Sequence, residues 1–125
     1  MSKAADITSL ELIAAVHQAK EMNRSTYELL VHRLNQQVAH FEWVGLYLLS
    51  DQQYVLEASA GDQTPDSLAR KSILQVPIVN SCEEVLGKLM VTSSAVAFDD
   101  SDFTSLEALA LEIGLKIDTI LKNRQ

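Results

Sequence analysis

The sequence predicts an α+β fold, a mainly antiparallel central sheet with N- and C-terminal helices packed on one of its faces. Three observations lead there. Residues 73–93, ILQVPIVNSCEEVLGKLMVTS, hold two apolar runs joined by the polar turn Asn80, Ser81, Cys82, Glu83, Glu84, a link short enough only for a hairpin. A second pair of apolar runs, residues 43–50 and 53–60, meets across Asp51-Gln52. The stretches before and after these strands carry apolar residues at helical spacing. One domain spans residues 1–125: a helical lead-in over 8–40, a sheet core over 41–93 and a C-terminal helix over 100–121.

In chain order, residues 1–7 read as a short polar start. Thr8 stands three before Glu11, the spacing of a capping box, and opens a helix over residues 9–20. Leu10, Ile13 and Val16 share one face of it; Leu12, Ala15 and Ala19 lie beside them. Ser25 and Glu28 repeat the spacing, and Tyr27, Leu30, Val31, Leu34 and Val38 then recur at i, i+3, i+4, i+7 and i+11, an amphipathic helix. Trp43, Val44, Leu46, Tyr47, Leu48 and Leu49 are apolar on both faces and predict a central strand. The next run alternates Tyr54, Leu56, Ala58 with Val55, Glu57, Ser59, leaving one face wetter. Residues 61–72, GDQTPDSLARKS, read as a loop with one helical turn over 66–71.

In the second hairpin, Val85, Gly87, Leu89 and Val91 alternate with Leu86, Lys88, Met90 and Thr92. Asp99, Asp100 and Asp102 sit where a helix starts and complement its dipole. Along the last helix Leu106, Ala110, Ile113, Ile117 and Leu121 form the stripe facing the sheet. Ala108, Leu111 and Leu115 fall on the opposite side. With Leu12, Ala15 and Ala19 of the first helix they predict an interface, and hence a homodimer built on the terminal helices.

The formal net charge of −7 disfavours nucleic acid and anionic membrane as partners. No apolar run reaches transmembrane length and no basic-then-apolar leader precedes the first helix, so the expected location is the cytoplasm. Cys82 is the sole cysteine, which excludes an internal disulfide. His17, His32 and His40 have no metal-ligand spacing, so the reading calls for no metal and no cofactor. With no appended output domain, a signal from this chain would pass to a separate protein partner.

Four pieces, FEWVGLYLL (41–49), VLEASAG (55–61), VPIV with VLGKLMVTS (76–79, 85–93) and FDDSDFTSLEALA (98–110), resemble a GAF domain in their order and chemistry. The resemblance runs over residues 23–117. The first piece, preceded by a helix, is most similar to the free methionine-(R)-sulfoxide reductases. It implies terminal helices on one sheet face and a small-molecule pocket on the other. It also implies that reductase cysteines would lie in a long segment before the VP strand. Here that segment is residues 61–72, which contain no cysteine. The family's ligand carboxylates would align with Ile73, Met90 and Thr92.

The expectation is therefore a non-catalytic GAF-like regulatory or sensory module with no catalytic residues. Its reduced pocket for a small molecule would be lined by Trp43, Tyr47, Tyr54, Ile73, Met90 and Thr92. The alternatives are a ligand-free dimerisation or protein-interaction module and, third, the reductase itself.

Overall fold

The structure is a computed structural model and describes residues 3–61, 72–93 and 97–123. The elements run α1 (Lys3–Gln18), α2 (Arg24–Gln37), β1 (Trp43–Ser50), β2 (Gln53–Gly61), β3 (Ser72–Val79), β4 (Val85–Ser93) and α3 (Asp100–Asn123). The four strands form one sheet in the order β2-β1-β4-β3, every neighbouring pair antiparallel. This is the α+β architecture expected from the two hairpins. The predicted loop over 61–72, with its helical turn at 66–71, lies outside the described residues apart from its two ends.

Both hairpins are closed by locally stabilised turns. Asp51 and Gln52 take φ of 51° and 66°, the left-handed pair that matches the twist of the flanking strands. In the other hairpin the Asn80 side-chain oxygen accepts from the backbone N–H groups of Cys82 and Glu84, each at 2.9 Å. That side chain replaces the backbone partners a longer ladder would provide.

Val44, Leu46, Val76, Ile78, Leu89 and Val91 face the helices and are buried. Tyr27, Leu30, Val31 and Leu34 of α2 close over the β1–β2 side of this layer. Leu106, Leu109, Ala110 and Ile113 of α3 join the same core. Gly114 lets α3 lie against β3, since a Cβ there would overlap the Val79 carbonyl oxygen. α1 packs on α3 and α2.

Several expectations about the helices are corrected. α1 begins at Lys3, not residue 9, and Thr8 is not its cap but a buried mid-helix residue whose hydroxyl donates to Gln37 Oε1 at 3.1 Å. Its buried stripe is Ala5, Thr8, Ser9, Leu12 and Val16. Small hydroxyl residues complete the stripe, and counting only apolar residues rotated the predicted face. Leu10, placed towards the core by the pattern, is 67% exposed, whereas Leu12 is 4% exposed inside the core. Leu12 is therefore not open to a second copy, and Ala15 and Ala19 are half-buried. The α2 cap is Asn23, whose Oδ1 accepts from Thr26 N at 3.1 Å, rather than Ser25. Leu121 is exposed, beyond the reach of the sheet-facing stripe.

The β2 alternation is also broken. The β1–β2 register shifts between Leu46 and Tyr47, so that Leu56 pairs with Tyr47 and Ala58 with Leu46. Glu57 is the extra residue of this bulge. Directly paired residues share a face, so Tyr54, Leu56 and Ser59 lie on one side while Val55, Ala58 and Ala60 lie on the helix side. The sequence reading had put Ala58 with Tyr54 and Leu56.

Candidate functional site

The sheet face away from the helices is built by cross-strand rows. Gly61, Trp43, Thr92 and Ile73 form one row across β2, β1, β4 and β3. Ser59, Gly45, Met90 and Gln75 form the next, and Leu56, Tyr47, Lys88 and Pro77 the third. Tyr54, paired with Leu49, follows at the hairpin end. All six residues predicted to line a pocket, Trp43, Tyr47, Tyr54, Ile73, Met90 and Thr92, therefore share this face.

Burial grades along it. At one end Trp43 is 3% exposed and Thr92 fully buried. The Trp43 indole lies flat over Gly45, where a Cβ would overlap its ring, and leans towards Tyr47 with centroids 6.5 Å apart. Among the described residues the Thr92 hydroxyl has no hydrogen-bond partner, a costly state for a buried polar atom. At the other end Tyr54, Leu56 and Leu49 are exposed; Ile73, in the row of Trp43 and Thr92 but on the edge strand β3, is exposed as well. Segment 62–71 leaves from Gly61, opposite Trp43, and returns at Ser72, opposite Ser93, so both its described ends lie at the buried end of the face.

Lys88 was not among the predicted site residues. Its Nζ lies 4.4 Å from the Tyr54 ring centroid and 5.2 Å from that of Tyr47, a cation held over two aromatic faces. Strand alternation already places Lys88 on the same face as Met90 and Thr92, so this member was legible in the sequence. Partial burial also pushes the Tyr47 hydroxyl above its usual pKa.

A second polar cluster sits on the helix side. Asp102 Oδ1 accepts from His40 Nε2 at 2.8 Å, and its other oxygen accepts from Asp99 N at 3.1 Å. Asp99 Oδ1 in turn accepts from Asp102 N at 2.8 Å, which holds the Asp99 carboxyl below the usual carboxylate range. The acidic start of α3 is thus a reciprocal cap, as its dipole predicts. His40 is half-buried against Phe41, with centroids 4.8 Å apart; His17 and His32 are exposed. Among the described residues no group of three His, Cys, Asp or Glu could hold a metal ion.

Cys82 lies exposed in the β3–β4 turn. From Val85, at the start of β4, to Thr92 is seven residues, roughly 23 Å of strand. The thiol and the buried end of the open face are therefore at opposite ends of the sheet.

On the far side of α3, Ala108, Leu111 and Leu115 are exposed, as the helical pattern predicted. Thr104 and Ala108 form a ridge between two grooves. One, about 340 Å³, is bordered by Leu10 and Ile13 of α1; the other, about 410 Å³, by Pro77 and Val79 of β3.

No protein-family model matches the chain, and no curated protein matches its sequence. Solved structures do match its fold. The reduced form of the free methionine-R-sulfoxide reductase of Staphylococcus aureus superposes with a TM-score of 0.73 at 18% identity, over 94% of this chain and 96% of that one. The Neisseria meningitidis reductase in complex with its substrate gives 0.74 at 16% identity, over 98% and 95%. The GAF domain from an Acinetobacter phosphoenolpyruvate-protein phosphotransferase gives 0.71 at 16% identity over 100% of both chains. The fold of this chain is GAF-like, and at these identities the likeness is one of fold. No helix among the described residues is long and apolar enough to cross a membrane.

Proposed function

We propose that this chain is a non-catalytic, cytoplasmic GAF-like sensory or regulatory module that binds a small molecule on the sheet face away from its helices. The observation that carries the reading is the grading of that face. A buried Trp43 and an unpartnered buried Thr92 hydroxyl stand at one end, and an exposed apolar platform continues to the other. Ligand sites are concave, mostly apolar and furnished with a few polar groups.

Reductases share this fold, and the Neisseria meningitidis structure holds its substrate. Reduction of a sulfoxide through a disulfide needs one thiolate to attack and a second thiol to resolve. This sequence has only Cys82, exposed at the opposite end of the sheet from Thr92. That favours binding over turnover.

A thermal-shift screen against amino acids, nucleotides and methionine sulfoxide tests the reading. A ligand bound only by the folded state raises the melting temperature. A hit whose effect disappears in Trp43→Ala or Met90→Ala is the expected result. Turnover of methionine sulfoxide that is lost in Cys82→Ser would overturn it.

The exposed ridge of α3 favours a second reading, a homodimer or protein-interaction module. Leu10 from α1 and Leu111 from α3 protrude beside the two grooves, a self-complementary arrangement for a two-fold. Sedimentation at micromolar concentration should show a dimer that Leu111→Glu with Leu115→Glu converts to a folded monomer. A wild-type monomer ends this second reading and leaves the first untouched.

A further inference from the structure

We infer that the ligand of the open face is a monocarboxylate with an apolar or aromatic body, anchored by Lys88. This rests on the small-molecule reading above and names the ligand's class.

The argument is one of charge. Among the described residues on this face, Trp43, Tyr47, Tyr54, Leu56, Ile73, Gln75, Met90 and Thr92 are all uncharged, and Lys88 is the one ionic group. No carboxylate among the described residues forms an ion pair with it; its ammonium rests on the Tyr47 and Tyr54 rings. Those rings orient the cation and shed water from one side of it without neutralising it. A carboxylate docking from the open side would complete the shell with a charge-assisted hydrogen bond.

The neighbours fit the remainder of such a molecule. Tyr54 carries the cation on its ring, Leu56 lies in the row of Lys88 on the other side of Tyr47, and both are exposed; Met90 lies half-buried on the next row. They offer apolar surface, with Gln75, Ser59 and the Tyr47 and Tyr54 hydroxyls as the hydrogen-bonding groups of these rows. One cation balances one negative charge. The rest of the chain is acidic, with a net charge of −7, so a ligand carrying two or more charges, such as a nucleotide phosphate, gains one contact here and meets repulsion elsewhere. A neutral ligand would leave the ammonium unpaired. The alternative is a lysine stem that merely covers two tyrosine rings with its head in water.

The test compares 4-phenylbutyrate with its neutral amide, 4-phenylbutyramide, by amide chemical-shift titration of the full chain at neutral pH. The acid should shift Tyr47, Tyr54, Lys88 and Met90, and bind roughly two- to five-fold tighter than the amide, the worth of one partly exposed ion pair. Lys88→Met should bring the acid's affinity down to the amide's, and Lys88→Arg should restore most of it. Circular dichroism checks that both variants fold, and the acid–amide comparison on the wild type stands without them. Equal binding of acid and amide at these residues would overturn the carboxylate assignment while leaving the binding face intact. Shifts confined to the groove between α1 and α3 would overturn the choice of face, and no shift with either probe would overturn the carboxylate assignment, leaving the small-molecule reading to the thermal-shift screen.

Discussion

The two faces of this sheet use the same four strands differently. On the helix side, Val44, Leu46, Val76, Ile78, Leu89 and Val91 are buried under α2 and α3 in a continuous core. On the other side, residues one step along the same strands carry a lone lysine, exposed leucines and an unpartnered threonine hydroxyl. The difference separates stability from recognition. A side chain packed on all sides contributes folding energy and can do little else. The open face keeps groups that cost the isolated fold something and are useful only when another molecule meets them.

The largest effect should come from the packed face. Leu89→Ala removes a fully buried side chain at the centre of the sheet and should cost about 2–5 kcal/mol in chemical denaturation. A loss below about 1 kcal/mol would mean that the helix side is not the stability core.

The packed side should also dominate the alkaline response. Burial, helped by the Glu57 carboxylate, pushes the Tyr27 hydroxyl from 10.0 to about 12. The neutral form is favoured in the fold, so this contribution is complete below pH 10 and is lost as pH rises from 10 towards about 12. Tyr27→Phe should flatten the fall in stability across that window. Parallel losses in the two proteins would place the ionisation elsewhere.

Thr92→Val sharpens the comparison because its sign is reversed. Replacing a buried, unpartnered hydroxyl with a methyl group of the same shape should stabilise the free protein by about 1 kcal/mol. If the hydroxyl serves the ligand, the same change should weaken binding. Destabilisation would show that Thr92 is satisfied in the fold, and the argument for that end of the site would lapse.

Smallest is Ile73→Ser. Ile73 is 49% exposed on the edge strand β3, and the change should fall within about 0.5 kcal/mol, as for other surface positions. A larger loss would mean that this face is packed in solution and closed to ligand.

Much of this was legible from the chain. The links Asp51-Gln52 and residues 80–84 are too short for a crossover, so both hairpins and the antiparallel sheet followed from connection length alone. Period two placed Trp43 with Tyr47, and Met90 with Thr92, because alternation is a property of extended backbone and needs no tertiary contact. Lys88 belonged to that set on the same ground. The acidic start of α3 announced its cap, since the cap bonds are local.

Tertiary structure decided the rest. The burial of Thr8, Ser9 and Leu12 in place of Leu10 depends on how closely α1 approaches α2 and α3, and small hydroxyl residues permit the approach without any apolar signature. The bulge at Glu57 turns Ala58 away from Leu56 and towards the helices, and only the pairing with β1 reveals it. His40 meets Asp102 across 62 positions of sequence, and no local spacing encodes such a contact. The strand order β2-β1-β4-β3 brings Lys88 over Tyr54 from the far side of β1. Periodicity says which side of its own strand a residue occupies; which strand lies next to it is settled by packing all four under the same helices.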